Sequence, residues 1–268
     1  MTSLNLPTTT VCIPAHNESA TIRDVIAVVQ DARRQHPGLI EEIIVVDDRS
    51  SDFTASIARA AGARVVYADF ECRSFGGSSG KGDALWAALR RCSTELVLFL
   101  DGDLTALNAG RLSQLIEPLV VNPELQLVKG RFTRLCSVDG PGAGRVTMLT
   151  ARPLLSLLRP ELASFEEPLS GLFAGRVETL GSLWLDCDYG VDVGILLDIA
   201  TMYGTESVLE VDLGEIRHRK RDLVALSSTA EQVARAILAR ATHSTVANAD
   251  LTMRRTPPRQ TLMPTILY

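Results

Sequence analysis

The sequence LVLFLDGD, residues 96–103, ends an apolar run with Asp101, Gly102 and Asp103. A short apolar run is typical of a strand that is buried inside a parallel sheet. Ligands of open α/β sheets bind beyond the carboxyl ends of the strands, where both aspartates are expected. Gly102 has no side chain to obstruct a ligand there. Because Mg²⁺ and Mn²⁺ favour oxygen ligands and share them with substrates, the motif predicts a metal-assisted diphosphate site, although an isolated DxD is more often a solvated turn.

On the N-terminal side of this motif, strand-like runs alternate with amphipathic helical stretches. This alternation is typical of a parallel sheet that is covered by helices. The sequence predicts an α/β fold with a mostly parallel central sheet, in which the strands occupy residues 11–14, 42–46, 64–67 and 96–100, and the helices about 19–34, 52–61 and 80–91. Ser19 is the expected cap of the first helix, and Gly62 the end of the second.

Three polar motifs lie at the ends of these predicted elements, namely PAHNE at 14–18, DDRS at 47–50 and GKGD at 80–83. Glu18 and Asp48 can accept hydrogen bonds from a ribose or a base, and Lys81 supplies a cation. Each motif alone is equally compatible with surface charge or a helix cap. Their order around the DGD motif favours a nucleotide-sugar pocket.

Two downstream segments carry candidate anion-binding residues. His218 lies in RHRKR, residues 217–221, and its imidazole could complete a Mn²⁺ site built on carboxylates. Lys220 and its cationic neighbours could contact a phosphate or form a solvated basic surface. The segment GAGR at 142–145, followed by Thr147, predicts a flexible entry to a helix whose amides and Arg145 could bind an anion.

Over about residues 9–240 the sequence resembles the nucleotide-sugar-dependent glycosyltransferases with the Rossmann-like GT-A fold, and among them the glucosyl-3-phosphoglycerate synthase family. The most specific matches are GRVT at 144–147, TARPLL at 150–155, RPEL at 159–162, EPLSG at 167–171, YGVDVG at 189–194, VDLG at 211–214 and His218-Arg219. The resemblance implies a GT-A fold with a C-terminal acceptor-binding part.

The same resemblance implies a retaining, metal-dependent transfer of glucose from UDP-glucose, or GDP-glucose, to the 2-hydroxyl of 3-phosphoglycerate by a cytoplasmic homodimer. It makes Asp103 and His218 the ligands of Mg²⁺ or Mn²⁺. The nucleotide would lie among Pro14, Ala15, Glu18, Asp48, Lys81, Asp101 and Gly102. Arg145 and Thr147 would hold the acceptor, and Leu169, Ser170, Gly171, Tyr189 and Asp192 would shape the sugar site. Lys81, Asp103 and Asp192 are the candidate catalytic residues, and Asp192 is the only candidate nucleophile for a double displacement.

Some positions depart from the family pattern: Gly102 stands where serine is common, Asp192 where glutamate is usual, Leu172-Phe173 replaces an acidic-aromatic pair, and Lys220 replaces a small amide. Two alternatives therefore stay open. One is the same transfer to another phosphorylated molecule, such as a nucleotide or a natural-product intermediate. The other is a non-catalytic nucleotide-sugar-binding protein, against which the retained Lys81 and Asp103 argue.

The chain divides into a nucleotide-sugar-binding half (residues 1–135), an acceptor-binding and metal-completing half of the same domain (136–248) and a C-terminal tail (249–268). The tail is expected to be poorly ordered or to dock on a partner subunit. A net charge of −5 argues against nucleic-acid binding. The absence of a signal-like N-terminus and of an apolar run of about 18–20 residues argues against export and membrane insertion. The five cysteines form no CxxC pair, and we interpret them as free cytosolic thiols.

Overall fold

The computed structural model describes residues 7–104, 107–136, 140–142, 144–216, 223–241 and 254–259. The strands are β1 (Thr9–Ala15), β2 (Ile40–Asp47), β3 (Arg64–Tyr67), β4 (Leu96–Phe99), β5 (Leu127–Cys136), β6 (Gly140–Gly142), β7 (Phe173–Arg176), β8 (Leu185–Asp186), β9 (Val208–Ile216) and β10 (Arg255–Thr256). The helices are α1 (Ile22–Gln35), α2 (Thr54–Ala60), α3 (Ala68–Glu71), α4 (Lys81–Leu89), α5 (Ala109–Val121), α6 (Arg152–Leu158), α7 (Val177–Gly181), α8 (Val191–Tyr203) and α9 (Leu223–Ala241). A π-helical turn, Thr147–Ala151, precedes α6.

The central sheet has the strand order β3-β2-β1-β4-β7-β5-β6, and β9 pairs with β5 beside this path. Strands β1 to β4 pair in parallel, whereas β7 runs antiparallel to both β4 and β5. The α/β fold class is therefore confirmed, with parallel pairs among β1 to β4 and between β5 and β9. Because β4 pairs with β7, both predicted halves contribute to one continuous sheet.

Alternating side chains of the central strands supply two hydrophobic clusters, one on each face of the sheet. In β1, Val11 and Ile13 belong to one cluster and Cys12 to the other. Helix α1 covers the first face with a buried stripe that includes Ile22 and Ile26. Burying one such side chain contributes roughly 1.5–3 kcal/mol, so the two clusters fix the sheet and the positions of its strand ends.

The first helix begins later than the sequence predicts. Helix α1 starts at Ile22 with Thr21 as its N-terminal flanking residue, and Ser19 does not cap it. The backbone N–H of Ser19 instead donates to the carboxylate of Asp52 at 3.1 Å, which ties the loop after β1 to the loop after β2. The predicted end of α2 agrees with the structure, because Gly62 adopts the left-handed conformation with φ +89°.

The described piece of the C-terminal tail, residues 254–259, packs against its own chain, whereas the sequence suggested poor order or an arm that docks on a partner. Strand β10 pairs antiparallel with β8 of the same chain. The indole Nε1 of Trp86, a fully buried side chain, donates to the carbonyl oxygen of Pro257 at 2.7 Å. A buried Trp N–H needs a partner, which gives this piece of tail a fixed place on the core. No helix within the described ranges has the length and apolar character needed to span a bilayer.

Candidate active site

The loops that follow β1 and β2 are interlocked by hydrogen bonds. The N–H of Asp48 donates to the carbonyl oxygen of Ala15 at 2.9 Å, and the N–H of Ser51 donates to the side-chain oxygen of Asn17 at 2.8 Å. Asn17 and Arg49 adopt positive φ angles of 57° and 60°, which is uncommon outside glycine and concentrates at functional sites. The PAHNE and DDRS motifs therefore form one surface at the carboxyl edge of the sheet.

Asp48 is held rigidly within this surface. The residue is 7% exposed, and its carboxylate accepts a hydrogen bond of 2.7 Å from the Oγ of Ser78. Arg49 forms a two-pronged ion pair with the same carboxylate, at 2.9 and 3.0 Å. The hydrogen bonds to Asp48 raise the pKa of the Arg49 guanidinium, although burial opposes them. The segment around Ser78 is thereby attached to a residue that we predicted to contact the nucleotide.

Gly102 packs against protein, which corrects the reason that the sequence suggested for it. A Cβ atom there would lie 3.2 Å from the carbonyl oxygen of Pro14 and 3.3 Å from the Cγ of Glu18. The Oγ1 of Thr21 donates to the carbonyl oxygen of Gly102 at 2.7 Å and lies 3.3 Å from Oε2 of Glu18. The missing side chain therefore allows the DGD turn to approach the loop after β1, and it does not open space for a ligand.

Lys81 joins the two halves of the chain. Its Nζ lies 3.1 Å from Oδ1 of Asp101, which follows β4, and 2.8 Å from Oδ2 of Asp192 in the first turn of α8. Burial lowers the pKa of Lys81, but the two carboxylates outweigh burial and the net pKa is raised. Burial raises the pKa of Asp192 against the opposing effect of Lys81. The other oxygen of Asp192, Oδ1, is buried and has no hydrogen-bond partner within the described part of the chain.

The predicted sugar-site turn, residues 169–171, covers this ion cluster. A Cβ atom at Gly171 would lie 2.6 Å from both carboxylate oxygens of Asp101 and would also collide with Nζ of Lys81. Only glycine fits this position without displacing the ion pair. Ser170 is fully buried, and Leu169 is half-buried beside the core.

Lys129 is a residue of this region that the sequence analysis missed. It is fully buried, and its Nζ donates to the carbonyl oxygens of Ser170 at 3.0 Å and Asp192 at 3.3 Å. The amine also lies 5.1 Å from the ring centre of Phe173. Burial lowers the pKa of Lys129 to about 8, and the nearby Asp192 carboxylate opposes part of that shift. A single lysine in the apolar strand sequence LVKG, residues 127–130, was the available signal, because lysine is almost never fully buried without partners.

The glycines of the GKGD motif bring backbone against backbone. A Cβ atom on Gly80 would lie 3.0 Å from the carbonyl oxygen of Cys187, and one on Gly82 would collide with the carbonyl oxygen of Asp186. The N–H of Asp83 also donates to the Cys187 carbonyl at 3.2 Å. The motif thus places Lys81 by packing the start of α4 directly on the segment that follows β8.

The predicted acceptor residues stand apart from the Lys81 cluster but connect to it. Thr147 is 2% exposed, and its Oγ1 donates to Oε2 of Glu167 at 3.4 Å, two residues before the 169–171 turn. Arg145 is half-buried at the start of the same helical segment. Tyr189 is also half-buried, and its backbone N–H donates to Gln232 in α9 at 3.2 Å.

Leu172 and Phe173, which depart from the expected family pattern, lie in the core. Both side chains are fully buried, and Phe173 stacks at a tilt on Phe99 with 5.0 Å between ring centres. Both positions therefore pack inside the protein. Asp192 is the departure that touches the ion cluster directly.

The predicted metal ligands can be placed only in part. Asp103 is half-buried on the turn after β4, whereas His218 and Lys220 lie outside the described residues. Within the part of the chain that is described, no three His, Cys, Asp or Glu side chains form a metal-binding group. A carboxylate and an imidazole are ligands that Mn²⁺ accepts, and Asp103 stands at the strand end where a diphosphate would arrive, so these residues fit such an ion.

Similarity to known proteins agrees with this arrangement. Residues 10–141 match the family model for glycosyl transferase family 2. Over 240 residues the chain is 39% identical to glucosyl-3-phosphoglycerate synthase of Mycobacterium tuberculosis strain H37Rv, in a match that covers 87% of this chain and 73% of that relative. The chain belongs to the glucosyl-3-phosphoglycerate synthase family. The predicted family and enzyme class are thereby confirmed.

Solved structures extend the likeness to three dimensions. Glucosyl-3-phosphoglycerate synthase from M. tuberculosis, in complex with Mn²⁺, UDP-glucose and phosphoglyceric acid, superposes with a TM-score of 0.82 at 36% identity, over 96% of this chain and 91% of that one. Mannosyl-3-phosphoglycerate synthase from Rubrobacter xylanophilus gives 0.85 at 28% identity, over 96% and 91% of the two chains. The GT-A fold expected for a glucosyl-3-phosphoglycerate synthase is confirmed.

Proposed function

We propose that this chain transfers glucose from UDP-glucose to 3-phosphoglycerate in a metal-dependent reaction. The observation that carries the proposal is the double ion pair of Lys81, at 3.1 Å to Asp101 and 2.8 Å to Asp192. Asp101 belongs to the diphosphate motif, and Asp192 to the half of the chain that is expected to hold the sugar and the acceptor. Membership of the glucosyl-3-phosphoglycerate synthase family supports the identities of donor and acceptor.

On the donor side, the loops after β1 and β2 offer Pro14, Ala15, Glu18 and Asp48 to the nucleoside. Asp48 is already fixed by Ser78 and Arg49, so little entropy is lost when a ligand contacts it. Asp101, Gly102 and Lys81 stand where the diphosphate would lie. Asp103 and His218 would hold Mg²⁺ or Mn²⁺, which neutralises negative charge on the departing diphosphate when it is bound.

On the sugar side, Asp192 offers a buried carboxylate oxygen without a partner in the described structure. A hydroxyl of the bound glucose satisfies that oxygen, because an unpaired buried acceptor costs free energy until a donor reaches it. The turn formed by Leu169, Ser170 and Gly171, together with Tyr189, lines the same space. Arg145, Thr147 and Lys220 are proposed to hold the phosphate and carboxylate of the acceptor.

The reaction is proposed to retain the configuration of the sugar through front-face attack, in which an oxygen of the leaving diphosphate takes the acceptor proton. Asp192 is the only nucleophile that the sequence suggests for a double displacement. Its ion pair with Lys81 lowers the nucleophilicity of the carboxylate, which favours the front-face route. The resemblance also supports a cytoplasmic homodimer; light scattering after size-exclusion chromatography tests the dimer.

The decisive experiment incubates the purified chain with UDP-glucose, GDP-glucose or GDP-mannose against 3-phosphoglycerate and other phosphorylated acceptors, with Mn²⁺ or with EDTA. We expect a product with the mass of glucosyl-3-phosphoglycerate only when UDP-glucose, 3-phosphoglycerate and Mn²⁺ are all present. NMR of the product then tests retention at the anomeric carbon. Transfer to a different acceptor but not to 3-phosphoglycerate would show that the proposed acceptor is wrong. Binding of UDP-glucose without transfer or hydrolysis would indicate a non-catalytic binding protein.

A second donor, GDP-mannose, is included because of one observation. The chain superposes on a mannosyl-3-phosphoglycerate synthase with a TM-score of 0.85, and Asp192, a position at which the sequence was expected to depart from the glucosyl family, belongs to the ion cluster. A carboxylate shortened by one methylene leaves a different space beside the sugar. Preferential use of GDP-mannose would show that the chain transfers mannose and not glucose.

A further inference from the structure

The described part of the C-terminal tail, residues 254–259, forms a strap that contacts both halves of the chain. Three contacts clamp it: the pairing of β10 with β8, the 2.7 Å hydrogen bond from Trp86 to the carbonyl of Pro257, and a 2.7 Å hydrogen bond from Arg259 to the carbonyl of Cys92. Arg255 adds an ion pair of 2.9 Å with the buried Asp186. The strap is therefore fixed to the core along most of its length.

Arg254 extends from this strap to a segment that we name the donor loop, residues 77–79. Its guanidinium donates to the carbonyl oxygen of Gly77 at 2.7 Å and lies 3.5 Å from Oδ2 of Asp83. Gly77 is in the left-handed conformation with φ +86°, next to Gly76 with φ +90°. A loop that begins with one such glycine and follows another has many alternative conformations, so holding it in one of them requires outside contacts.

The other contacts of the donor loop lead to nucleotide-binding positions. The N–H of Ser78 donates to Asp69 at 3.1 Å, and its Oγ donates to Asp48 at 2.7 Å. The N–H of Ser79 donates to Asp83 at 2.7 Å, and Gly80 and Lys81 follow directly. The shape of the donor loop therefore sets both the Asp48 carboxylate and the start of the helix that carries Lys81.

Among the described residues, Arg254 is the contact of this loop that comes from outside the predicted nucleotide-sugar-binding half. We propose that Arg254 is a positioning residue for the donor, which acts through the Gly77 carbonyl to hold the donor loop ready for a nucleoside diphosphate. The inference rests on the proposed use of a UDP-sugar. Its physical basis is preorganisation: a loop that is already ordered loses less entropy when the nucleotide binds.

The test is the affinity of the full chain for UDP in the presence of Mn²⁺, measured by isothermal titration calorimetry without acceptor. Losing one charge-assisted hydrogen bond that orders the loop is expected to weaken UDP binding about five- to twentyfold in Arg254→Ala. The KM for UDP-glucose should rise by the same factor, while kcat and the KM for the acceptor stay within about twofold, because a change in KM alone indicates lost binding that the ground state and the transition state share equally. Arg254→Lys keeps one donor and should recover part of the affinity.

The matched control is Arg259→Ala, which removes an equivalent hydrogen bond to a backbone carbonyl elsewhere in the same strap. This variant should bind UDP like the wild type. Equal UDP affinity in Arg254→Ala and wild type, or equal losses in both alanine variants at unchanged thermal stability, would overturn the positioning role. If the wild type itself does not bind UDP, the proposed function fails first, which separates the two outcomes.

Discussion

The donor half and the acceptor half hold their functional side chains in different ways. In the donor half, Asp48 and Asp101 follow parallel strands, and neighbouring loops of the same sheet edge fix Asp48. In the acceptor half, Thr147 reaches Glu167, and Ser170 and the start of α8 are joined by Lys129, which belongs to the donor half. Sequence periodicity specifies the first arrangement, whereas only tertiary packing specifies the second. Lys81 is where the two arrangements meet.

Replacing either proposed metal ligand should have the largest effect. Asp103→Ala is expected to lower metal-dependent transfer by about a thousandfold or more while the chain stays folded, because the residue lies on a turn outside the core. His218→Ala should show a similar loss. Turnover as a function of Mn²⁺ concentration measures both effects, and near-normal turnover at limiting Mn²⁺ in either variant would remove that residue from the ligand set.

Removing the ion pairs that connect the two halves should have the next largest effect. Lys81→Met leaves Asp101 and Asp192 close together in a buried place without their shared cation. Loss of one partner from a buried ion cluster typically costs about 3–5 kcal/mol, so both thermal stability and transfer should fall sharply. The double variant Lys81→Met with Asp192→Asn should regain stability without regaining activity. A single variant as stable as the wild type would show that the ion pairs do not join the halves.

An effect confined to the acceptor half is expected for Arg145→Ala. A charge-assisted hydrogen bond to an acceptor anion is worth about 1.5–3 kcal/mol, or roughly ten- to over a hundredfold in acceptor use. Donor affinity should barely change. Titrating UDP-glucose and acceptor separately distinguishes this result from that of an ordinary exposed arginine, which would leave both constants unaltered. An equal loss in donor affinity would move the acceptor site to the cluster at residues 217–221.

The last expected effect is a pH dependence of stability that comes from Lys129. Its pKa is about 8 in the folded chain against an ordinary value of 10.5, so between these pH values the unfolded chain binds the proton that the folded chain has released. The contribution of Lys129 to the free energy of unfolding therefore rises with pH across this window, by at most about 1.4 kcal/mol per pH unit. Below about pH 8 the penalty for burying the charge is fully present.

The measurement is the difference in the free energy of unfolding between wild type and Lys129→Met, from urea titrations at about pH 7 to 11, which span the window. Taking the difference cancels the titration of other groups. We expect the wild type to gain on the variant as pH rises. A constant difference across the window would show that Lys129 keeps its ordinary pKa.

Most of the donor half could be predicted from sequence. The fourth strand was predicted at 96–100 and observed as the fully buried Leu96–Phe99, because a continuous apolar run reports burial directly. The same rule placed Asp48, Asp101 and Lys81 at the sheet edge. The reason given for Gly102 was wrong, because a sequence does not show which face of a turn contacts protein and which contacts a ligand.

The contacts between the two halves, and those of the tail, were less predictable for a physical reason. Burial of Lys129 depends on carbonyls from residues 170 and 192, and the position of the strap depends on Trp86 needing a hydrogen-bond acceptor. Neither partner is near in sequence, so no local pattern indicates the contact. A charged residue in an apolar strand and a tryptophan in a buried helix are the kinds of residue whose partners should be sought elsewhere in the chain.

The contact of Gly80 and Gly82 with the segment after β8 has a mechanical consequence. A side-chain interface can yield by changing rotamers, but here main chain meets main chain, with the Cys187 carbonyl 3.0 Å from where a Cβ of Gly80 would stand. This contact between two backbone segments is therefore stiff. We therefore expect a displacement of the segment that leads to Tyr189 and Asp192 to displace Lys81 as well. The two sides of the pocket should move together as one rigid body.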